Sequence, residues 1–146
     1  MAGRCRRSEK SVAKEKLELV EVSPRDGLQN EPDIVSTENK LALIDHIVRA
    51  GFRRLEAGSF VNGDAVFAGV PQRDDVTCSA LALNLRGVER ALAAGATEIN
   101  YVFCASDGFS IRNNGGTVEE TFAAWPEVAA KTKEGGARLS ATISTA

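Results

Sequence analysis

Cysteine is scarce here, and its placement excludes two architectures at once. The 146 residues hold three, Cys5, Cys78 and Cys104, an odd and widely spaced set with no CxxC pair. That pattern excludes a disulfide framework and a structural zinc site, and it fits a reducing compartment. Cys78 and Cys104 lie in apolar strand-like runs, where a thiol reads as a small buried hydrophobe. Long hydrophobic runs are also lacking, which excludes a membrane span of the usual length. No apolar stretch with a cleavage-like site follows the first residues. Charge of one sign is missing as well: the formal net charge is −2, with 26% charged residues. Such a balance gives no global field for nucleic acid or a membrane surface. The chain is read as cytoplasmic, with no nucleic-acid or membrane partner.

What remains is an ordinary globular composition, 43% apolar, in a chain long enough for one sizeable core. Residues 1–16 form a basic segment, with Arg4, Arg6, Arg7, Lys10, Lys14 and Lys16. It reads as a flexible tail; Glu9 and Glu15 interrupt the pattern a transit peptide would need. Residues 17–146 read as one domain.

Within that domain strand and helix patterns alternate. Leu17 to Val22 (LELVEV) alternates and stops at Ser23-Pro24, which predicts a first strand. Ser36 to Asn39 supplies capping residues, and Leu41, Ile44, Ile47 and Val48 then recur at helical spacing until Gly51. Phe52 to Ala57, Val76 to Leu83 and Glu98 to Cys104 predict three further strands. A helix ending at Gly95 separates the last two. Thr117 to Glu120 has a capping-box pattern that opens a helix running toward Lys133, closed by Gly135-Gly136. Leu139 to Ile143 begins a fifth strand. Five strands separated by helices imply parallel βαβ units. The recurring Ala-Gly between helix and strand, at Ala50-Gly51 and Ala94-Gly95, suits a (β/α)8 barrel. A doubly wound sheet would carry a glycine-rich phosphate loop after its first strand, and PRDGLQ stands there instead. The predicted fold class is α/β, an incomplete (β/α)8 barrel of about five strands, because a full barrel takes about 250 residues. Such a piece exposes two sheet edges, so marginal stability or a need for a partner is expected. Only DAVFAG, residues 64–69, is available for a helix between the predicted second and third strands, so that unit looks shortened.

Barrel sites sit at the C-terminal ends of strands. The first of these ends carries Arg25, Asp26 and Gln29, and the second carries Glu56 and Ser59. The third leads to Asn84, and the fourth to Ser106, Asp107 and the stretch IRNNGG, read as a loop. Arg25 and Asp26 offer an anion-binding fork beside a hard oxygen donor able to coordinate Mg2+ or Mn2+. Glu56, on the neighbouring strand, is placed to orient either the arginine or a metal-bound water.

Taken together, VEVSPRDGLQNE, IVSTENKLALIDHI, AGFRRLEAGSFV, NLRGVERALAAGATEI and FSIRNNGGTVEETF resemble the hydroxymethylglutaryl-CoA lyases. These belong to a metal-dependent barrel family that includes isopropylmalate and homocitrate synthases. The RDG–Q core is common to that family, whereas RDGLQNE resembles the lyase branch. The resemblance runs from about Leu17 to the C-terminus. It implies cleavage of 3-hydroxy-3-methylglutaryl-CoA to acetyl-CoA and acetoacetate, in leucine degradation and ketone-body chemistry. By the same resemblance Asp26 is a metal ligand and Arg25 the catalytic arginine that stabilises enolate oxygen. Glu56 supports arginine and metal, Gln29 is a pocket residue, and Asn113 lies near the acyl-CoA. A divalent cation (Mg2+ or Mn2+), an acyl-CoA substrate and, for full-length members, a homodimer are implied too.

Two departures stand out. The family's His-x-His ligands, a further Asn and its Gly-rich Cys loop have no counterpart among these residues. The lone histidine, His46, falls mid-helix beside Asp45. After Val61 the sequence passes through Asn62-Gly63 almost directly to DAVFAG, which looks like an internal deletion near residues 62–64. The polypeptide alone is therefore expected to bind the cation weakly and to lack turnover. Two other readings stay open: a non-catalytic module for binding or assembly, and a related lyase acting on another acyl-CoA or 2-oxo acid.

Overall fold

The computed structural model describes residues 17–29, 31–60, 64–70 and 73–145. The basic tail, Cys5 and, of the suspected deletion near residues 62–64, residues 62 and 63 lie outside the described residues. Four strands, β1 (Arg54–Ser59), β2 (Thr77–Ala82), β3 (Glu98–Cys104) and β4 (Arg138–Ser144), form one sheet in sequence order. Every adjacent pair is parallel. The connections run through α1 (Thr37–Arg49) ahead of β1, α2 (Asp64–Gly69), α3 (Leu85–Ala93), and then α4 (Asp107–Asn114), α5 (Val118–Ala123) and α6 (Trp125–Glu134). This is the βαβ order that the alternating pattern predicts.

Local chemistry explains the boundaries. Ser36 caps α1 by accepting the Asn39 N–H at 3.2 Å. Thr117 and Glu120 form the full capping box at the start of α5. Glycines that close the helices before β1, β3 and β4 adopt left-handed φ values, +106° at Gly51, +88° at Gly95 and +70° at Gly136. That conformation costs other residues and costs glycine nothing, which is why one residue type recurs at the end of each unit.

Three expectations are corrected. The predicted first strand is reduced to a single parallel bridge, Glu21 to Leu55. Its segment lies beside β1, with Glu21 N–H donating to Arg54 O and Glu56 N–H to Glu21 O. Among the described residues it has one strand neighbour, and no second ladder holds it extended. The expected IRNNGG loop is instead the end of α4, stopped by Gly115 at φ +82°. The single helix predicted from Thr117 is two, because Pro126 near the start of α6 lacks the N–H that would continue the ladder.

The two faces of the sheet differ in chemistry. Leu55, Cys78, Ala80, Ala82, Ile99, Tyr101 and Phe103 face the helices, where they pack with Ile44, Ile47, Val88, Ala91 and Val128. Residues of the opposite phase are largely polar: Arg54 and Glu56, Ser79, Glu98 and Asn100, Ser140 and Thr142. Period-two alternation thus separates a dry core from a polar concave face. At the two edges of the sheet Leu19 and Ile143 remain 70% and 66% exposed.

Candidate active site

The chain leaves Glu21 through Ser23–Gly27 (SPRDG), a single π-helical turn at the C-terminal end of the sheet. Asp26 N–H donates to Val22 O at 2.8 Å, and buried Pro24 anchors the turn. The Ser23 N–H donates to the Glu21 carboxylate at 2.8 Å, and this bond holds the Glu21 pKa below its ordinary value. The turn therefore has its own support before any tertiary contact is counted.

From it Arg25 reaches across β1. Its Nε donates to Glu56 Oε1, and its Nη1 donates to Asp26 Oδ1 at 2.8 Å and Gln29 Oε1 at 3.0 Å. Among the described residues Nη2 has no acceptor. Glu56 is 5% exposed at its side chain and Asp26 61%, so the arginine joins a buried carboxylate to a solvated one. A guanidinium divided in this way is fixed in plane while one edge stays available to an anion.

Sequence reasoning missed the next two members. Asn100 Nδ2 donates to Glu56 Oε2 at 3.1 Å, and Thr142 Oγ1 donates to Asn100 Oδ1 at 3.0 Å. The signal was an amide in the middle of the apolar strand Glu98–Cys104, in phase with Glu98. Asparagine is a poor strand former, so its place there calls for a reason.

Beside them lies an open cavity of about 640 Å3, lined at strand ends by Gly58, Ser59, Leu83, Thr142 and Ser144 and flanked by Lys40 and Phe109; Glu56 and Asn100 stand behind it rather than in its lining. A register shift between Glu56 and Gly58 marks a bulge in β1 beside the cavity, and such irregularities re-aim side chains near sites. Arg25, Asp26, Gln29 and Asn113 all line it. Asn113 does so from the end of α4, its amide donating to Asn114 Oδ1 at 2.9 Å. Asn84 is not part of the group: it caps α3 by accepting the Gly87 N–H at 2.9 Å. His46 is exposed on α1, with Nδ1 2.6 Å from Ala42 O. Among the described residues no three His, Cys, Asp or Glu side chains lie together as a metal cage. Asp26 nonetheless presents an exposed carboxylate at the cavity, a donor of the type Mg2+ and Mn2+ prefer.

Comparison with known proteins now bears on the same geometry. A model of the HMGL-like family matches residues 16–145. The chain belongs to the HMGL-like family. It is 47% identical over 107 residues to a 3-hydroxy-3-isohexenylglutaryl-CoA/hydroxy-methylglutaryl-CoA lyase of Pseudomonas aeruginosa, a match covering 67% of this chain and 36% of that one. Against a cytoplasmic 3-hydroxy-3-methylglutaryl-CoA lyase of Danio rerio the identity is 37% over 139 residues, covering 89% and 42%. A solved HMG-CoA lyase from Acinetobacter baumannii, in complex with coenzyme A and 3-methylmalate, superposes with a TM-score of 0.80 at 38% identity. That match covers 87% of this chain and 44% of the solved one. The HMGL-like chain thus spans well under half the length of each of these relatives, and its parallel sheet matches part of their barrel.

Proposed function

We propose that this chain carries the strand-one portion of a hydroxymethylglutaryl-CoA lyase site. The reaction is cleavage of 3-hydroxy-3-methylglutaryl-CoA to acetyl-CoA and acetoacetate. One observation carries the reading: a guanidinium clamped by Glu56, Asp26 and Gln29 at the C-terminal end of parallel strands, in a residue that lines the cavity and whose Nη2 has no acceptor among the described residues. In a retro-Claisen cleavage the tertiary hydroxyl loses its proton, the carbon–carbon bond breaks, and negative charge collects on the departing fragment's enolate oxygen. A fixed Arg25 donor supplies stabilisation where that charge develops. Glu56 holds the guanidinium in register, and Gln29 limits its rotation. Asn113 lines the wall where the acyl-CoA would enter.

Asp26 fits a divalent cation as one ligand, and a bound Mg2+ or Mn2+ would supply Lewis-acid charge at the substrate oxygens. A single carboxylate is well short of the octahedral set these ions take. The 146-residue polypeptide is therefore expected to bind Mn2+ weakly and to show no turnover alone. Among its described residues no helix is long and apolar enough to cross a membrane. We assign the chain to the cytoplasm by its likeness to the cytoplasmic relative, and extend to it that family's homodimer as an expectation.

The test is complementation. The purified chain is mixed with the C-terminal part of the Pseudomonas aeruginosa relative, and Mn2+ binding and cleavage of 3-hydroxy-3-methylglutaryl-CoA are measured. Tight Mn2+ binding and turnover in the mixture alone support the proposal. A mixture that binds Mn2+ tightly and leaves the acyl-CoA intact would overturn it.

A further inference from the structure

We propose that Asn100 and Thr142 are positioning residues for Arg25, acting through Glu56 as a directed relay across three strands. The inference rests on the reading of Arg25 as the cavity's catalytic arginine and assigns what holds it there. Each link has only one workable sense. Thr142 Oγ1 is the donor to Asn100 Oδ1 at 3.0 Å, which uses the acceptor end of the amide. The amide's NH2 is turned to Glu56 Oε2 at 3.1 Å. A flipped amide would set its oxygen against a carboxylate oxygen and lose the bond to Glu56, even though the Thr142 hydroxyl could then accept from the NH2, so the carboxylate fixes the sense of the amide and the hydroxyl completes it. Glu56 Oε2 so engaged leaves Oε1 for the Nε of Arg25.

The side chains follow the stagger of the strands, with Glu56 opposite Ser79, Ser79 opposite Glu98, and Thr142 opposite Val102. Glu56, Asn100 and Thr142 each lie two residues beyond Arg54, Glu98 and Ser140, on β1, β3 and β4 respectively. No smaller set accounts for Asn100. Leucine or valine would suit the strand better but could not donate, and aspartate would oppose Glu56 with like charge. Glu56 is almost wholly buried, and its second oxygen needs a donor that brings no competing cation. An amide meets that need. Completing its acceptor end falls to a hydroxyl on the exposed edge strand, so the outer end of the relay is open to change without disturbing the core.

The readout is the Nε–H signal of arginine in nitrogen-15 spectra of the full chain with no acyl-CoA present. Arg54, whose Nε donates to Glu98 Oε2 at 3.0 Å, is a control pair in the same sheet. In Thr142→Val the Arg25 Nε–H is expected to exchange about threefold faster with solvent, and in Asn100→Leu on the order of tenfold faster. Thr142→Ser, which keeps the hydroxyl, restores the slow rate, and Arg54 is unchanged throughout. Exchange of Arg25 unaltered by Thr142→Val would overturn the relay. So would an equal acceleration of Arg54, which marks general loosening. Because no substrate is involved, the lyase reading can fail in the complementation assay while the relay stands, and the reverse.

Discussion

Two arginine–glutamate pairs stand on the same concave face, and they are built differently. At the N-terminal end of the sheet Arg54 donates Nε to Glu98 Oε2 at 3.0 Å and Nη2 to Oε1 at 2.5 Å, a fork-to-fork pair. Ser140 adds a donor to Glu98 at 2.8 Å, and Glu18 takes Nη1 of Arg54 at 3.0 Å. Glu98 is 1% exposed, and both its oxygens are in use. At the C-terminal end Arg25 divides its donors among three acceptors, gives Glu56 only one bond, and leaves Nη2 without an acceptor among the described residues. The lower pair is saturated, as a structural pair would be; the upper leaves a donor over, as the proposed binding role requires. Barrel folds separate the two tasks between their ends in this way.

The comparison breaks first at the lower pair. Arg54→Met leaves the Glu98 carboxylate buried without its cation, and the expected loss is about 3 to 5 kcal/mol in urea unfolding. An unchanged midpoint would show that the pair is not structural. The conservative change at the other end, Arg25→Lys, keeps the charge and loses the fork. In the complemented lyase it is expected to lower turnover on the order of a hundredfold while costing the isolated chain about 1 kcal/mol or less. Equal effects of the two substitutions on stability would erase the distinction.

Acid sharpens the contrast. Burial pushes the Glu98 carboxyl up, but hydrogen bonds from Arg54 and Ser140 and the charge of Arg54 outweigh it, so the group lies below its usual 4.5. A depressed carboxyl contributes stability that is present above the unfolded value and lost as pH falls through the folded one. The urea midpoint is therefore expected to drop as pH falls below 4.5. In Arg54→Met only the Ser140 bond and the charge of Arg138 remain to oppose burial, so the Glu98 carboxyl is expected to rise and the loss of stability on acidification to shrink. The smallest effect is read at Cys78, which pairs with Leu55 beside Arg54. Burial pushes its thiol up to about 11. Alkylation of the folded chain at pH near 8 is expected to be about a hundredfold slower than for an exposed thiol, and Arg54→Met is expected to accelerate it by opening that end.

Much of this was legible in the residues. Strand β3 coincides with the run from Glu98 to Cys104, and the glycines that close helices mark their ends as expected. Arg25, Asp26 and Gln29 share a short turn, so their meeting follows from local sequence. Helix α4 was not legible, because Phe109 and Ile111 do not fall on one helical face and Asn and Gly suggest a turn. Its order comes from packing on β3, including the bond from Asn114 Nδ2 to Val102 O at 2.8 Å.

By itself the sequence determined the βαβ alternation, the caps and the Arg-Asp turn, because each depends on residues within one or two turns of one another. Only the tertiary structure decided that LELVEV reaches the sheet through one bridge and that Asn84 caps a helix rather than joining the site. It also decided which polar side chains converge. Glu56, Asn100 and Thr142 are each more than 40 positions from the next, and only the staggered register of parallel strands brings their side chains within hydrogen-bond reach. Spacing along the chain carries no trace of that register, since hydrogen bonds between strands set it.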